Sequence, residues 1–92
     1  MEIIYKASDY FIQVVFHEEV NFTHAVLFNK ATRTGWEFSI VQVGDATYNL
    51  TLPASETAGM DVGMYNLELW ANTTLLDCKE NFAKVEETSQ SL

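Results

Sequence analysis

The stretch MDVGMYNLELWA, Met60 to Ala71, decides how the chain is read. From Tyr65 onward every second position is apolar and aligned, with Tyr65, Leu67 and Leu69 set against Asn66, Glu68 and Trp70. Side chains along a β-strand alternate between two faces, so this period of two marks a strand with one buried side. Ahead of it stand Asp61 and Gly63, where the chain has to turn before the strand begins. Whether Asp61, Gly63 and Tyr65 form a structural corner or part of a site is the question the rest of the sequence has to answer.

The same period recurs outward from this segment. TYNLTL places Tyr48, Leu50 and Leu52 inward and Thr47, Asn49 and Thr51 outward. DYFIQVVFH sets Tyr10, Ile12, Val14 and Phe16 against Phe11, Gln13 and Val15. GWEFSIVQV reads as one alternating run, Trp36, Phe38 and Ile40 against Glu37, Ser39 and Val41. HAVLFN is apolar on both faces, as a central strand is, and TLLDCKENFAKV holds one or two strands. EEVNFT, KATRTG, VGDA and ANTT are polar or small and read as turns. In PASETAGMDVG, Pro53 ends the preceding strand because it has no N–H for the ladder. Ser55 is expected to cap one helical turn across Glu56 to Ala58, which Gly59 stops. With no long amphipathic helix, the fold class is all-β: a small antiparallel sandwich of about seven strands. It forms a single domain over residues 1–86, followed by a polar tail over 87–92.

Composition fits a folded domain. Apolar residues are 48% and aromatic residues 13% of the 92, too many for a disordered tail. No apolar run approaches the roughly 18–20 residues that span a bilayer. The opening MEIIYKASDYF has an acid in place of a basic segment and no long apolar region, so it does not read as a signal peptide, and a cytosolic setting is expected. Thirteen acids against five bases give a net charge of −8, which repels phosphate and argues against direct nucleic-acid binding. It also favours solubility and suits a basic protein partner.

Catalytic chemistry finds little support. His17 and His24 in HEEVNFTH are separated by six residues around a turn, unlike the His-Glu-x-x-His of a helical metal site. The four glycines are scattered at turns and form no phosphate loop. Cys78, the lone cysteine, lies between Asp77 and Lys79, and reads as a passive strand residue more than a reactive thiol. The Asn-x-Thr triplets at Asn21, Asn49 and Asn72 read as Thr-rich strand composition. No catalytic, metal or cofactor residue is assigned. Phe11 and Trp70 fall out of phase with their apolar neighbours; they are core if both faces of their strands are covered and partner-binding residues if one is open.

Asp61-x-Gly63-x-Tyr65, leading into a strand, resembles the tyrosine corner of immunoglobulin-like domains. That resemblance implies a Tyr65 hydroxyl bonded back to upstream backbone and a Gly63 that permits the tight turn. Leu67 stands where antibody-type domains carry a Cys, so it concerns architecture. Residues 44 to 85 resemble the second half of small β-sandwiches from tailed-phage structural proteins of the tail, baseplate and fibre. The parts are Leu50 and Leu52, Ser55 to Thr57, Met60, Gly63 and Tyr65, Leu67 to Trp70, then Phe82 and Val85. Cys78-Lys79-Glu80 departs from the Gly-containing approach expected before the last strand. The resemblance implies a non-enzymatic virion structural or assembly protein, working as a homo-oligomer or against other virion components, located in the virion or in the host cytoplasm before assembly. It implies no cofactor, no nucleic acid and no membrane. The alternative from charge is a small acidic inhibitor of a basic host protein; a ligand-binding sandwich using Trp36 or Trp70 ranks behind both.

Overall fold

The computed structural model describes residues 1–87, and the expected tail beyond Glu87 lies outside them. The chain runs β1 (Glu2–Tyr5), β2 (Tyr10–Val15), β3 (His24–Asn29), β4 (Thr34–Glu37), β5 (Ser39–Gln42), β6 (Thr47–Leu52), α1 (Ala54–Thr57), β7 (Gly63–Ala71) and β8 (Thr74–Glu86). The strands form two sheets, one ordered β1-β8-β7-β3-β4 and the other β2-β6-β5. The fold is therefore an all-β, two-sheet sandwich, with eight strands among the described residues.

Alternation explains which side of each strand is buried. Along β6, Tyr48, Leu50 and Leu52 are buried, and the intervening Thr47, Asn49 and Thr51 are half-exposed. Tyr65, Leu67 and Leu69 of β7 meet them from the other sheet, joined by Ile4, Leu27, Met60, Ala83 and Val85. A slip of one residue in any of these strands would turn its apolar set to solvent, so the pattern fixes register. At one end Phe16, Phe22 and Tyr48 form an aromatic cluster with ring centroids 4.9–5.9 Å apart. Tyr48 Oη donates to Val20 O at 3.3 Å, which ties the β2–β3 loop to this cluster.

Three features differ from the sequence reading. GWEFSIVQV is two strands in two sheets. Phe38 lies at the crossing, buried, its N–H donating to Ala25 O at 2.9 Å. Before it β4 pairs with β3, and after it β5 pairs with β6. Trp36, Phe38 and Ile40 all turn toward the interior, so the side-chain period runs unbroken while the hydrogen-bond partner changes. The second difference is β1, which pairs parallel with the end of β8 and makes the larger sheet mixed. Its four residues are too short to display a period. The third is the helical turn: Pro53, not Ser55, is the residue before α1, and no side chain of its own segment caps it. Asp9 Oδ1 accepts from Ala54 N at 2.8 Å instead, a cap brought from the β1–β2 turn.

TLLDCKENFAKV is one long strand interrupted by bulges. Tyr65 pairs with Ala83 and Leu67 with Lys79, so β8 spends extra residues where Asn81 adopts φ 52°. Asn66 Oδ1 accepts from Asn81 N at 2.9 Å and satisfies the backbone at the bulge. A bulge sharpens the local bend and twist of the strand that carries it.

Candidate functional site

Asp61, Gly63 and Tyr65 come together at the start of β7. Tyr65 is fully buried, and its Oη donates to Asp61 O at 2.7 Å, four residues upstream. Burial pushes the Tyr65 hydroxyl above its usual pKa, with the nearby Asp61 carboxylate adding to the rise. Gly63 has φ +142°, a conformation that side chains disfavour. A buried phenol held neutral against a carbonyl is a structural tie, with no acceptor placed for chemistry. A second tie lies close by. Thr57 Oγ1 donates to Ser8 O at 2.6 Å and accepts from Ser8 N at 3.1 Å, fastening α1 to the β1–β2 turn.

The titratable side chains do not converge. His24 Nδ1 lies 3.0 Å from Glu37 Oε1 on the outside of the five-stranded sheet, and His17 is exposed at the end of β2. Among the described residues no group of three or more His, Cys, Asp or Glu is arranged to hold a metal ion. Cys78 is exposed, and partial desolvation together with Glu68 and Glu80 pushes its thiol pKa up, away from the thiolate.

The two out-of-phase aromatics separate. Trp70 is half-buried on β7; its Nε1 donates to Glu68 Oε1 at 3.3 Å, and its backbone oxygen accepts from Thr23 N at 2.8 Å. Phe11 stands open on β2, 58% exposed. Around Phe11 the structure assembles a surface that linear reading missed. Registers align Phe11 with Thr51 and Ser39, Gln13 with Asn49 and Val41, and Val15 with Thr47. Val43 N donates to Thr47 O at 2.9 Å and completes the third row. None of these side chains is charged, in a chain with eighteen Lys, Arg, Asp and Glu. Val15, Val41 and Val43 are 66%, 60% and 52% exposed, so the outer face of the three-stranded sheet is uncharged and studded with apolar side chains. Gln13 Nε2 donates to Asn49 Oδ1 at 2.9 Å, which satisfies the polar pair at its centre. The missed signal was present in the sequence as three outward sets without charge; they become one surface only when β2, β6 and β5 are known to be neighbours.

Beside this face, the sandwich opens between β2 and β8. A groove of about 380 Å³ lies there, its apolar lining drawn from Ile12, Val14, Leu67, Leu69 and Phe82. It exists because β1 pairs only with Ala83–Glu86, which leaves the preceding part of β8 without a neighbour on that side among the described residues. Glu2 and Lys79 stand among its other lining residues, and among the described residues no Ser, Thr, Cys, His or carboxylate pair lines it.

Fold and surface together define a small two-sheet β-sandwich with one uncharged outer sheet face. Comparison with known proteins returns no matching family model, no matching curated protein and no matching solved structure.

Proposed function

We propose that this protein is a non-enzymatic structural or assembly module that acts through protein–protein interfaces. The observation that carries the reading is the outer face of the three-stranded sheet, where Phe11, Val15, Val41 and Val43 are more than half exposed and no charge interrupts them. A free sheet face normally carries charge to stay soluble, and contiguous exposed apolar surface marks a place where something docks. The resemblance of residues 44 to 85 to tailed-phage structural sandwiches supports a role in a virion, with other copies or other virion components as partners. The Tyr65 corner and the Thr57–Ser8 tie belong to the scaffold that holds this face rigid.

Size-exclusion chromatography with light scattering, followed by electron microscopy of any multimer, tests the reading. The expected result is a concentration-dependent multimer, ring or fibre. A strictly monomeric protein that forms none of these over the accessible concentration range would count against it.

A further inference from the structure

Each sheet ends in two edge strands, and an edge presents unpaired backbone groups that invite another strand unless something guards them. Most edges here are guarded. The outer strand β4 follows Arg33 in a left-handed conformation and carries Glu37. The open part of β8 carries Asp77, Lys79 and Glu80 and is bulged at the left-handed Asn81. On β1, Glu2 begins the strand and Lys6 follows it. The edge strand β5 is uncharged, but Gln42 folds its side chain back onto Gly44 O at 2.9 Å. Like β5, β2 has no charge, no proline, no positive φ and no register shift, and at six residues against four it is the longer of these two unguarded edges.

The direction of its backbone groups follows from the ladder. Phe16 N donates to Ala46 O at 2.8 Å, so the N–H and C=O of Phe16 turn toward β6. In an antiparallel ladder these directions alternate, so Tyr10, Ile12 and Val14 also face β6. Phe11, Gln13 and Val15 therefore point theirs outward, and these are the residues whose side chains form the uncharged face.

We propose that a second copy of this chain pairs antiparallel along β2 about a two-fold axis through Gln13, joining two three-stranded sheets into one. The proposal rests on the reading above, that the chain works through protein interfaces, and names the edge and the occupant. A two-fold interface must be self-complementary, and this register is. Phe11 lies opposite Val15 of the second copy and Gln13 opposite Gln13, giving about six backbone hydrogen bonds across the join. No like charges meet along it. Just beyond the strand, the same pairing brings Asp9 and the bend that carries His17 of the second copy to the same end of the join, an acid near a base. Like charge elsewhere on a chain of net charge −8 opposes association of two copies, and the six residues of this edge add none to it. Underneath, Ile12 comes beside Val14 of the second copy, so the incoming strand covers the mouth of the apolar groove.

The test combines mass and register. Wild-type protein is expected to give a concentration-dependent dimer, or a multiple of one, by light scattering. Gln13→Pro removes an N–H that points away from β6, so the folded monomer keeps its ladder while the join loses its central bonds; the expected result is a monomer with a retained denaturant melt. Should that variant not fold, Gln13→Glu sets like charges opposite each other at an exposed position, and is expected to shift the equilibrium toward monomer. A multimer that survives both variants overturns the β2 join and leaves the assembly reading standing, whereas a wild type that is monomeric throughout removes both. Register is read in a Cys78→Ser background. Gln13→Cys places two Cα atoms about 5.5 Å apart across the axis, within the range of roughly 4.4–6.8 Å that a disulfide spans. It is expected to cross-link on mild oxidation. Phe11→Cys alone is not, because the two copies of that residue lie about 14 Å apart, yet mixed with Val15→Cys it is. Cross-linking of Phe11→Cys with itself and not of Gln13→Cys overturns the register.

Discussion

The two outer faces of the sandwich are built from the same kind of strand and present opposite surfaces. Outside the five-stranded sheet, charges are interleaved with apolar residues and tied to one another. His24 faces Glu37 at 3.0 Å, and Lys84 lies 3.9 Å from Glu86. Along one row, Glu37, Val26, Glu68 and Cys78 lie side by side across four strands. Outside the three-stranded sheet there is Thr, Ser, Asn, Gln, Val and Phe, and no charge at all. Both faces meet water, but only the first carries charge. The difference teaches that the acidic surplus of this chain is segregated: it covers loops and the larger sheet, and it leaves the smaller sheet open to apposition.

If that division is right, the inner residues of β6 hold the fold and the outer ones do not. Leu50→Ala removes a fully buried side chain facing β7 and is expected to cost about 2–5 kcal/mol in denaturant unfolding. Its outward neighbour Asn49, replaced by Ala, is expected to stay within about 0.5 kcal/mol of wild type. A large loss at Asn49 would mean that the outer face is part of the folding unit and not free for contact.

The ties between segments come next. Thr57→Val strips a buried hydroxyl from both Ser8 groups and is expected to cost about 1–3 kcal/mol. Tyr65→Phe deletes one bond to Asp61 O and is expected to cost about 0.5–1.5 kcal/mol. Both tyrosines raised by burial, Tyr10 and Tyr65, keep the neutral form in the fold. The native state then holds protons that the unfolded chain releases above about pH 10. Their stabilisation is therefore present below that pH and is lost as pH rises beyond it. Alkaline melts should show this decline, and Tyr65→Phe should shallow it.

A small effect is also expected on the charged side. Lys30 and Glu80 pair at 3.1 Å with both side chains about two-thirds exposed, so Glu80→Gln should cost at most about 1 kcal/mol and leave association unchanged. Gln13→Lys on the opposite face sets like charges across the β2 join, and should be as mild for stability and should weaken association. Equal effects of the two substitutions on association would erase the contrast between the faces.

Much of this architecture was legible in the alternation. The inward sets of β2, β6 and β7 were correct because a period of two, read against polar turns, leaves little freedom once one side must be buried. What escaped was what side-chain period cannot encode. Phe38 continues the pattern while the backbone changes sheets, and β1 is too short to have a pattern. The cap on α1 comes from Asp9, 45 residues away. The candidate surface was half legible: Phe11 stood out as out of phase, but Trp70 stood out equally, and tertiary packing alone distinguishes them. Val15, Val41 and Val43 looked ordinary singly and become a surface through strand order.

Amide hydrogen exchange measured residue by residue, at low and high protein concentration, tests the central claim most directly. Among the described residues, the N–H groups of Phe11, Gln13 and Val15 have no neighbour strand within one copy, whereas those of Ile12 and Val14 face β6. At low concentration the account predicts fast exchange at the first three, and at high concentration protection gained there with none gained at Cys78, whose N–H points to the open side of β8. Protection at Phe11, Gln13 and Val15 that does not change with concentration, or that appears first along β8, would contradict it.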